Sequence, residues 1–330
     1  MVLAVITASP RGKWAGPLNS KSQNGTWPMP PTDVAGSATP FYSNGLRNGV
    51  LGKMSNGARL IATLPFWIDR RGWRIVVKLG GSAMENSTSL VATLRDLTWL
   101  NLTGQRVVLV HGGGKPIDRA LQSAGLVPHK VNGRRVTDEA TLAVVVRVLA
   151  DVINHDLVRQ LREFGCPAKS LVGEDDCILR GRPFAELGRA GHVTSVDTAA
   201  LDRLVLEGTM PVVPPIGRDD TGWLNINADD VAGAIAADWQ ADALIYLSDT
   251  PGLLRDVSDP SSVIHRLTRQ QAMELIADGT IAGGMVPKVQ SCLAALSQGV
   301  GRVQILDGRV HHALLQESLT QQCPGTEFTE

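Results

Sequence analysis

The run Arg74-Ile-Val-Val-Lys78-Leu-Gly80-Gly81-Ser82 sets the tightest limit on how this chain can fold. A stretch of β-branched residues leads into a lysine and then a glycine pair, which reads as a buried strand ending in a tight turn with exposed backbone. Glycine lets such a turn bring N–H groups close to an anion, and the lysine adds a point charge. A plain strand and bend is the other reading, and this stretch alone leaves both open.

The same pattern recurs downstream. Residues 88–99 read as a helix and Arg106-Val-Val-Leu-Val110 as a second strand, closed by His111-Gly112-Gly113-Gly114. Strand, helix, strand and glycine loop are the rhythm of an α/β fold with a mainly parallel sheet, whose ligands gather at the carboxyl ends of strands. A helix over Ile117 to Ser123 would aim its N-terminus at whatever the loop holds. His111 reads either as a general base or as an anchor of its loop. A GxGxxG fingerprint appears at neither turn, which argues against a dinucleotide enzyme.

In Val131-Asn-Gly-Arg134-Arg135-Val-Thr-Asp138, an arginine in a glycine-containing loop suits bidentate capture of a carboxylate. A surface arginine paired to Asp138 fits the segment equally well. Apolar spacing predicts one long helix over 139–164, and 169–176 with 178–191 a hairpin or small peripheral sheet. Residues 210–217 form a short strand. Asn225 and Asn227 alternate, placing two amides on one side of an extended segment. Asp229 and Asp230 then compete to cap a helix over 231–239. The other role for Asp229 is to orient two active-site lysines. The strand 243–247 runs into Ser248-Asp249-Thr-Pro-Gly252, a turn that a nucleotide site would use but that is also common. A helix over 268–278 precedes Gly283-Gly284-Met285-Val-Pro-Lys288, a third candidate anion site opening a helix to residue 296. The last strand is 303–307 and the last helix 313–319.

Composition narrows the chemistry. Lys+Arg and Asp+Glu both number 32, which argues against a dedicated nucleic-acid or charge-driven membrane binder. No apolar run approaches the roughly 20 residues needed to span a bilayer. The 34 glycines cluster in short motifs, as ligand-holding loops do. Cys166, Cys177, Cys292 and Cys323 have neither CxxC spacing nor histidine partners, so no zinc site or disulfide framework is expected and a reduced, cytoplasmic setting is the default. Residues 9–57 are rich in Gly, Pro, Ser and Asn, and residues 1–57 lean basic, Arg11, Lys13, Lys21, Arg47 and Lys53 facing Asp33. They read as a disordered or loosely attached arm, with a plastid or mitochondrial transit peptide as the alternative. A short amphipathic helix is predicted over 46–64, ended by Pro65.

Lys78 and Lys288, the glycine loops, a loop arginine and two asparagines, without a serine elbow or a cysteine–histidine pair, fit phosphoryl transfer, where catalysis is positioning and charge neutralisation. A carboxylate acceptor suits them better than an alcohol. With an unperturbed pKa of about 4, it is already a nucleophile at neutral pH and needs no base.

The stretches VVKLGGSAM, VLVHGGGK, VNGRRVTDEATL, GTMPVVPPIG, LNINAD, LIYLSDTPGLL, GTIAGGMVPKV and VQILDGRVHHALLQE resemble, in order, the motifs of the amino acid kinase superfamily and, within it, the acetylglutamate kinase family. The resemblance implies a three-layer αβα sandwich around a mainly parallel sheet, with an acceptor-binding and dimerisation lobe over 58–243 and a nucleotide lobe over 244–330. It implies ATP-dependent phosphorylation of the side-chain carboxylate of N-acetyl-L-glutamate, the second step of L-arginine biosynthesis, with Mg2+ carried on the ATP phosphates rather than by a protein metal site. Lys78 and Lys288 would act on the phosphates, organised by Asp229, with Gly80, Gly81, Gly113 and Gly114 around the transferring group. Arg135 and Asn225 would grip the acceptor, with Asn227 beside them, and Ser248, Asp249, Gly252, Gly283, Gly284 and Met285 would serve ATP. A homodimer is implied, a hexamer through an N-terminal helix, and L-arginine as an effector near the C-terminal segment. The chain departs from the family pattern at Arg134, where leucine is usual, at Gly173-Glu174-Asp175-Asp176, usually Gly-Lys-Asp-Gly, and at Cys323-Pro-Gly325, in place of Gly-x-Gly. Rival readings are a kinase of glutamate, aspartate or carrier-linked aminoadipate, and a catalytically idle regulatory homologue.

Overall fold

A computed structural model describes residues 55–330 except Asn132, Gly284 and Gln321. The arm over 1–54, and with it the first part of the helix expected over 46–64, lies outside the described residues. Its remainder is the Asn56–Ala62 helix, capped by Ser55. Pro65 does not end the helical region as the sequence predicts. It sits in the first turn of a second helix, Leu64–Asp69, where its missing N–H has no intrahelical partner to lose.

The strands in chain order are β1 (Arg74–Leu79), β2 (Arg106–His111), β3 (Lys130–Val131), β4 (Arg134–Arg135), β5 (Ala168–Ser170), β6 (Leu179–Pro183), β7 (Ala190–Val196), β8 (Met210–Val213), β9 (Ile216–Asp219), β10 (Gly222–Ile226), β11 (Ala243–Ser248), β12 (Arg266–Thr268), β13 (Arg302–Asp307) and β14 (Thr326–Thr329). One sheet runs β12-β14-β13-β11-β1-β2-β8-β5, parallel except where β13 meets β14. The expected α/β class holds, with helices covering both faces. Along β1, Ile75, Val77 and Leu79 pack with Leu94 and Leu97 of the Ser87–Leu102 helix and with Leu157 and Leu161 of the His155–Glu163 helix. Val76 faces the other way, onto Ile235 of the Ala228–Asp238 helix and Val289 of the Met285–Ser297 helix. Strands covered on both faces read as continuous apolar runs, which is why β1, β2 and β11 stand out in the sequence.

Several expectations are corrected. The long helix over 139–164 is helical throughout but passes through a π-helical stretch, Arg147–Asn154, between Glu139–Val146 and His155–Glu163. The expected hairpin is present as the antiparallel pair β6–β7, which takes part in a small closed barrel in the order β10-β7-β6-β9, whereas β5 joins the main sheet instead. The last strand is β14, and β12 also escapes the sequence reading. Among the described residues no helix is long and apolar enough to cross a membrane.

Candidate active site

The carboxyl ends of β1, β2 and β11 meet at one place. The Gly80 N–H donates to the Leu247 carbonyl at 3.2 Å, and the Gly112 N–H to the Leu79 carbonyl at 2.9 Å. A Cβ on Gly80 would lie 2.8 Å from the Leu247 oxygen, and one on Gly113 2.6 Å from Leu149 Cδ2. At Gly80 the obstacle is backbone, so glycine is required there by packing before any ligand is considered. Beyond these turns opens a cavity of about 370 Å3, walled by Gly81, Gly112 to Gly114, Asn225, Asn227 and Asp229. Lys78, Lys115, Lys130, Arg134 and Arg135 line it against the carboxylates of Asp229 and Asp249, so it suits an anionic ligand.

Asp229 joins the two lysines that the sequence sets far apart. Its Oδ1 lies 2.7 Å from Lys78 Nζ and its Oδ2 3.1 Å from Lys288 Nζ. Burial by itself would raise the Asp229 pKa, but the two lysine charges outweigh it and hold it at about 2. Asp229 stays ionised at neutral pH and fixes both ammonium groups. Neither aspartate caps the helix: Asn227 does, accepting from Asp229 N at 2.7 Å and from Asp230 N. The Asn227 side chain thus holds the first turn of the Ala228–Asp238 helix at the cavity wall.

The double arginine divides its work. Arg135 is buried, 8% exposed, and its Nη2 donates to Asp118. Its buried Nη1 has no partner among the described residues, an incomplete fork beside the cavity that an anionic oxygen would complete. Arg134 donates to Asp230 Oδ2 at 2.8 Å, with its guanidinium 4.8 Å from the Phe184 ring centre. Neither pairs with Asp138, which caps the Glu139–Val146 helix. Asn225 donates from Nδ2 to Thr137 Oγ1 at 3.0 Å.

Of the two roles open to His111, the anchor fits. Burial pushes its pKa down to about 4, so the ring is neutral, donating from Nδ1 to the Gly112 carbonyl at 3.0 Å. Nε2 accepts from Asn154 Nδ2 at 3.1 Å, and Asn154 also donates to the Val212 carbonyl.

On the nucleotide side, Asp249 reaches the cavity wall. Ser248 is buried at the end of β11. Gly252 backs onto β14, where a Cβ would lie 2.7 Å from Thr326 Oγ1. Gly283 and Met285 stand at the start of the Met285–Ser297 helix that carries Lys288, and Gly284 lies outside the described residues. Sequence reasoning missed Asp118, Lys115 and Lys130. Their signal was position alone, a charge within the first turns after the HGGG loop or just before the arginine loop.

The Amino acid kinase family matches residues 73–307, and the chain belongs to it. Among curated relatives it is 42% identical over 273 residues to the acetylglutamate kinase of Acaryochloris marina, covering 82% of this chain and 96% of that protein. The acetylglutamate kinase of Porphyra purpurea is 43% identical over 255 residues, 76% of this chain and 90% of that one. Among solved structures, an N-acetylglutamate synthase from Neisseria gonorrhoeae, complexed with coenzyme A and N-acetyl-glutamate, superposes with a TM-score of 0.75 at 29% identity. The match covers 84% of this chain and spans 64% of the synthase. A carbamate kinase from Giardia lamblia at 15% identity, covering 78% of this chain and 99% of that one, shares the fold with a TM-score of 0.58.

Proposed function

We propose that this protein transfers the γ-phosphoryl group of ATP to the side-chain carboxylate of N-acetyl-L-glutamate, forming N-acetyl-L-glutamyl 5-phosphate in L-arginine biosynthesis. The observation that carries the reading is the Asp229 carboxylate shared between Lys78 and Lys288 in the cavity that holds the incomplete fork of Arg135. The curated relatives supply the acceptor's name.

In this reading Arg135 takes the acceptor's α-carboxylate and leaves the side-chain carboxylate pointing at the lysines. A carboxylate oxygen attacks the γ-phosphorus, the bond to the β,γ-bridging oxygen breaks, and ADP leaves. No proton moves, because the acceptor is already ionised. Lys78 and Lys288 offset the negative charge that spreads over the transferring group, and Gly81, Gly113 and Gly114 leave room for it against backbone N–H groups. Mg2+ on the ATP phosphates would neutralise the β- and γ-oxygens. Both Asp229 oxygens face lysines, and no cluster of three acidic, histidine or cysteine side chains suited to a metal occurs among the described residues. In this reading phosphate oxygens would hold the ion.

The acceptor lobe over 58–243 and nucleotide lobe over 244–330 belong to the same proposal, although one sheet crosses that boundary where β11 pairs with β1. So do a homodimer and its assembly into a hexamer. Leu60, Ile61, Leu64 and Ile68 of the N-terminal helices are half or more exposed and offer an apolar face to a second copy. L-arginine is the proposed effector, beside Glu317 where the Leu64–Asp69 helix meets the C-terminal segment.

The test supplies ATP, Mg2+ and a panel of carboxylates, with hydroxylamine trapping acyl phosphate. N-acetylglutamate is expected to give hydroxamate far faster than glutamate or aspartate. Equal rates on glutamate would remove the acceptor assignment, and no hydroxamate from any carboxylate would remove the kinase reading.

A further inference from the structure

Thr137, between β4 and the Glu139–Val146 helix, is fully buried. Every polar group it has is engaged. Its N–H donates to the Leu187 carbonyl at 3.1 Å and its carbonyl accepts from Arg189 N at 2.6 Å. Its hydroxyl donates to the Arg135 carbonyl at 2.8 Å and accepts from Asn225 Nδ2 at 3.0 Å. Gly188, at a φ of +63°, lets the neighbouring chain approach the Thr137 carbonyl where a Cβ would collide.

The hydroxyl has one proton, and the Arg135 carbonyl can only accept it. Asn225 must therefore be the donor in the second bond, which turns its NH2 end to Thr137 and its Oδ1 away. Asn225 lines the cavity, and its Oδ1 receives no hydrogen bond among the described residues. We infer that Thr137 is a positioning residue that ties Arg135 to Asn225 and presents the Asn225 carbonyl oxygen to an N–H group of the acceptor. This inference rests on the carboxylate-kinase reading and adds a requirement to it: the acceptor carries an N–H beside the carboxylate that Arg135 takes. Thr137 touches no substrate and acts through the orientation of its two neighbours.

The test compares N-acetylglutamate with 2-acetoxyglutarate, its ester analogue, in which oxygen replaces the N–H. Full-length wild type, Thr137→Val and Thr137→Ser are assayed with ATP and Mg2+. Wild type is expected to favour the amide in kcat/KM by about tenfold or more, the size of one lost hydrogen bond in a closed site. Thr137→Val should shrink that ratio to within about threefold, mainly through the acceptor KM with the KM for ATP unchanged, and Thr137→Ser should restore it. Thr137→Ala is read by the same ratio if valine is not accommodated. An active wild type without preference for the amide, or a Thr137→Val enzyme slowed on both acceptors with the ratio intact, overturns the inference alone. A wild type making acyl phosphate from neither compound overturns the reading beneath it.

Discussion

At the scale of single residues, the site turns on a shared carboxylate. Replacing Lys78 by alanine should lower kcat by about 10²- to 10³-fold, the range seen when one preorganised charge-stabilising donor is lost. The melting temperature should move little, since Lys288 still neutralises Asp229. Steady-state kinetics beside thermal melting checks both halves. Two carboxylates give opposite pH dependences. The Asp229 pKa is depressed to about 2, so the stability it contributes is present above the unfolded carboxylate value of about 3.9 and is lost as pH falls through about 2. Burial outweighs the His312 contact at 2.6 Å and raises the Asp96 pKa to about 6. Its contribution is complete below about pH 3.9 and lost as pH rises through about 6. Asp96→Asn should therefore flatten the stability profile between pH 4 and 7, as measured by denaturant midpoints. Lys78, Asp229 and Lys288 were legible in the sequence because each sits beside a glycine turn or a helix start. Thr137 was not, because its hydroxyl gains meaning from Asn225, 88 positions away.

Secondary elements were legible where one face or a continuous run was apolar, and illegible where pairing is made by distant short segments. β1, β2 and β11 announce themselves as apolar runs, and β13 by Val303, Ile305 and Leu306. β14 does not: Thr326–Thr329 holds one apolar residue, Phe328, in four positions and is a strand because β13 and β12 flank it. Its approach depends on Gly325, where a Cβ would collide with the Ile305 carbonyl. Gly325→Ala should destabilise the protein by about 1–3 kcal/mol, the usual range for overpacking a tight contact, as read by chemical denaturation. The π-helical stretch was equally hidden, since the apolar spacing of 139–164 matches an uninterrupted helix. It ends at Asn154, fully buried against His111 and the Val212 carbonyl.

For the whole molecule, the glycine turns after parallel strands disclosed the layered α/β plan, and motif order disclosed the family. The small barrel of β6, β7, β9 and β10 could not be read that way. Its hairpins β6–β7 and β9–β10 are local, but the pairs that close it, β10–β7 and β6–β9, are ones that only the folded chain brings together. The proposed site residues lie between Lys78 and Lys288, so a chain beginning at residue 46 should keep nearly full turnover, as a direct rate comparison would show. Ile61→Asp with Ile68→Asp should reduce any larger assembly to the dimer with turnover retained, as followed by light scattering. The central claim is that a carboxylate oxygen of the acceptor attacks phosphorus without help from a base. The direct measurement uses N-acetylglutamate labelled with 18O in its side-chain carboxylate, hydroxylamine to cleave the acyl phosphate at carbon, and mass analysis of the released phosphate. The account predicts one 18O in each phosphate formed, and phosphate released at the same rate without label would contradict it.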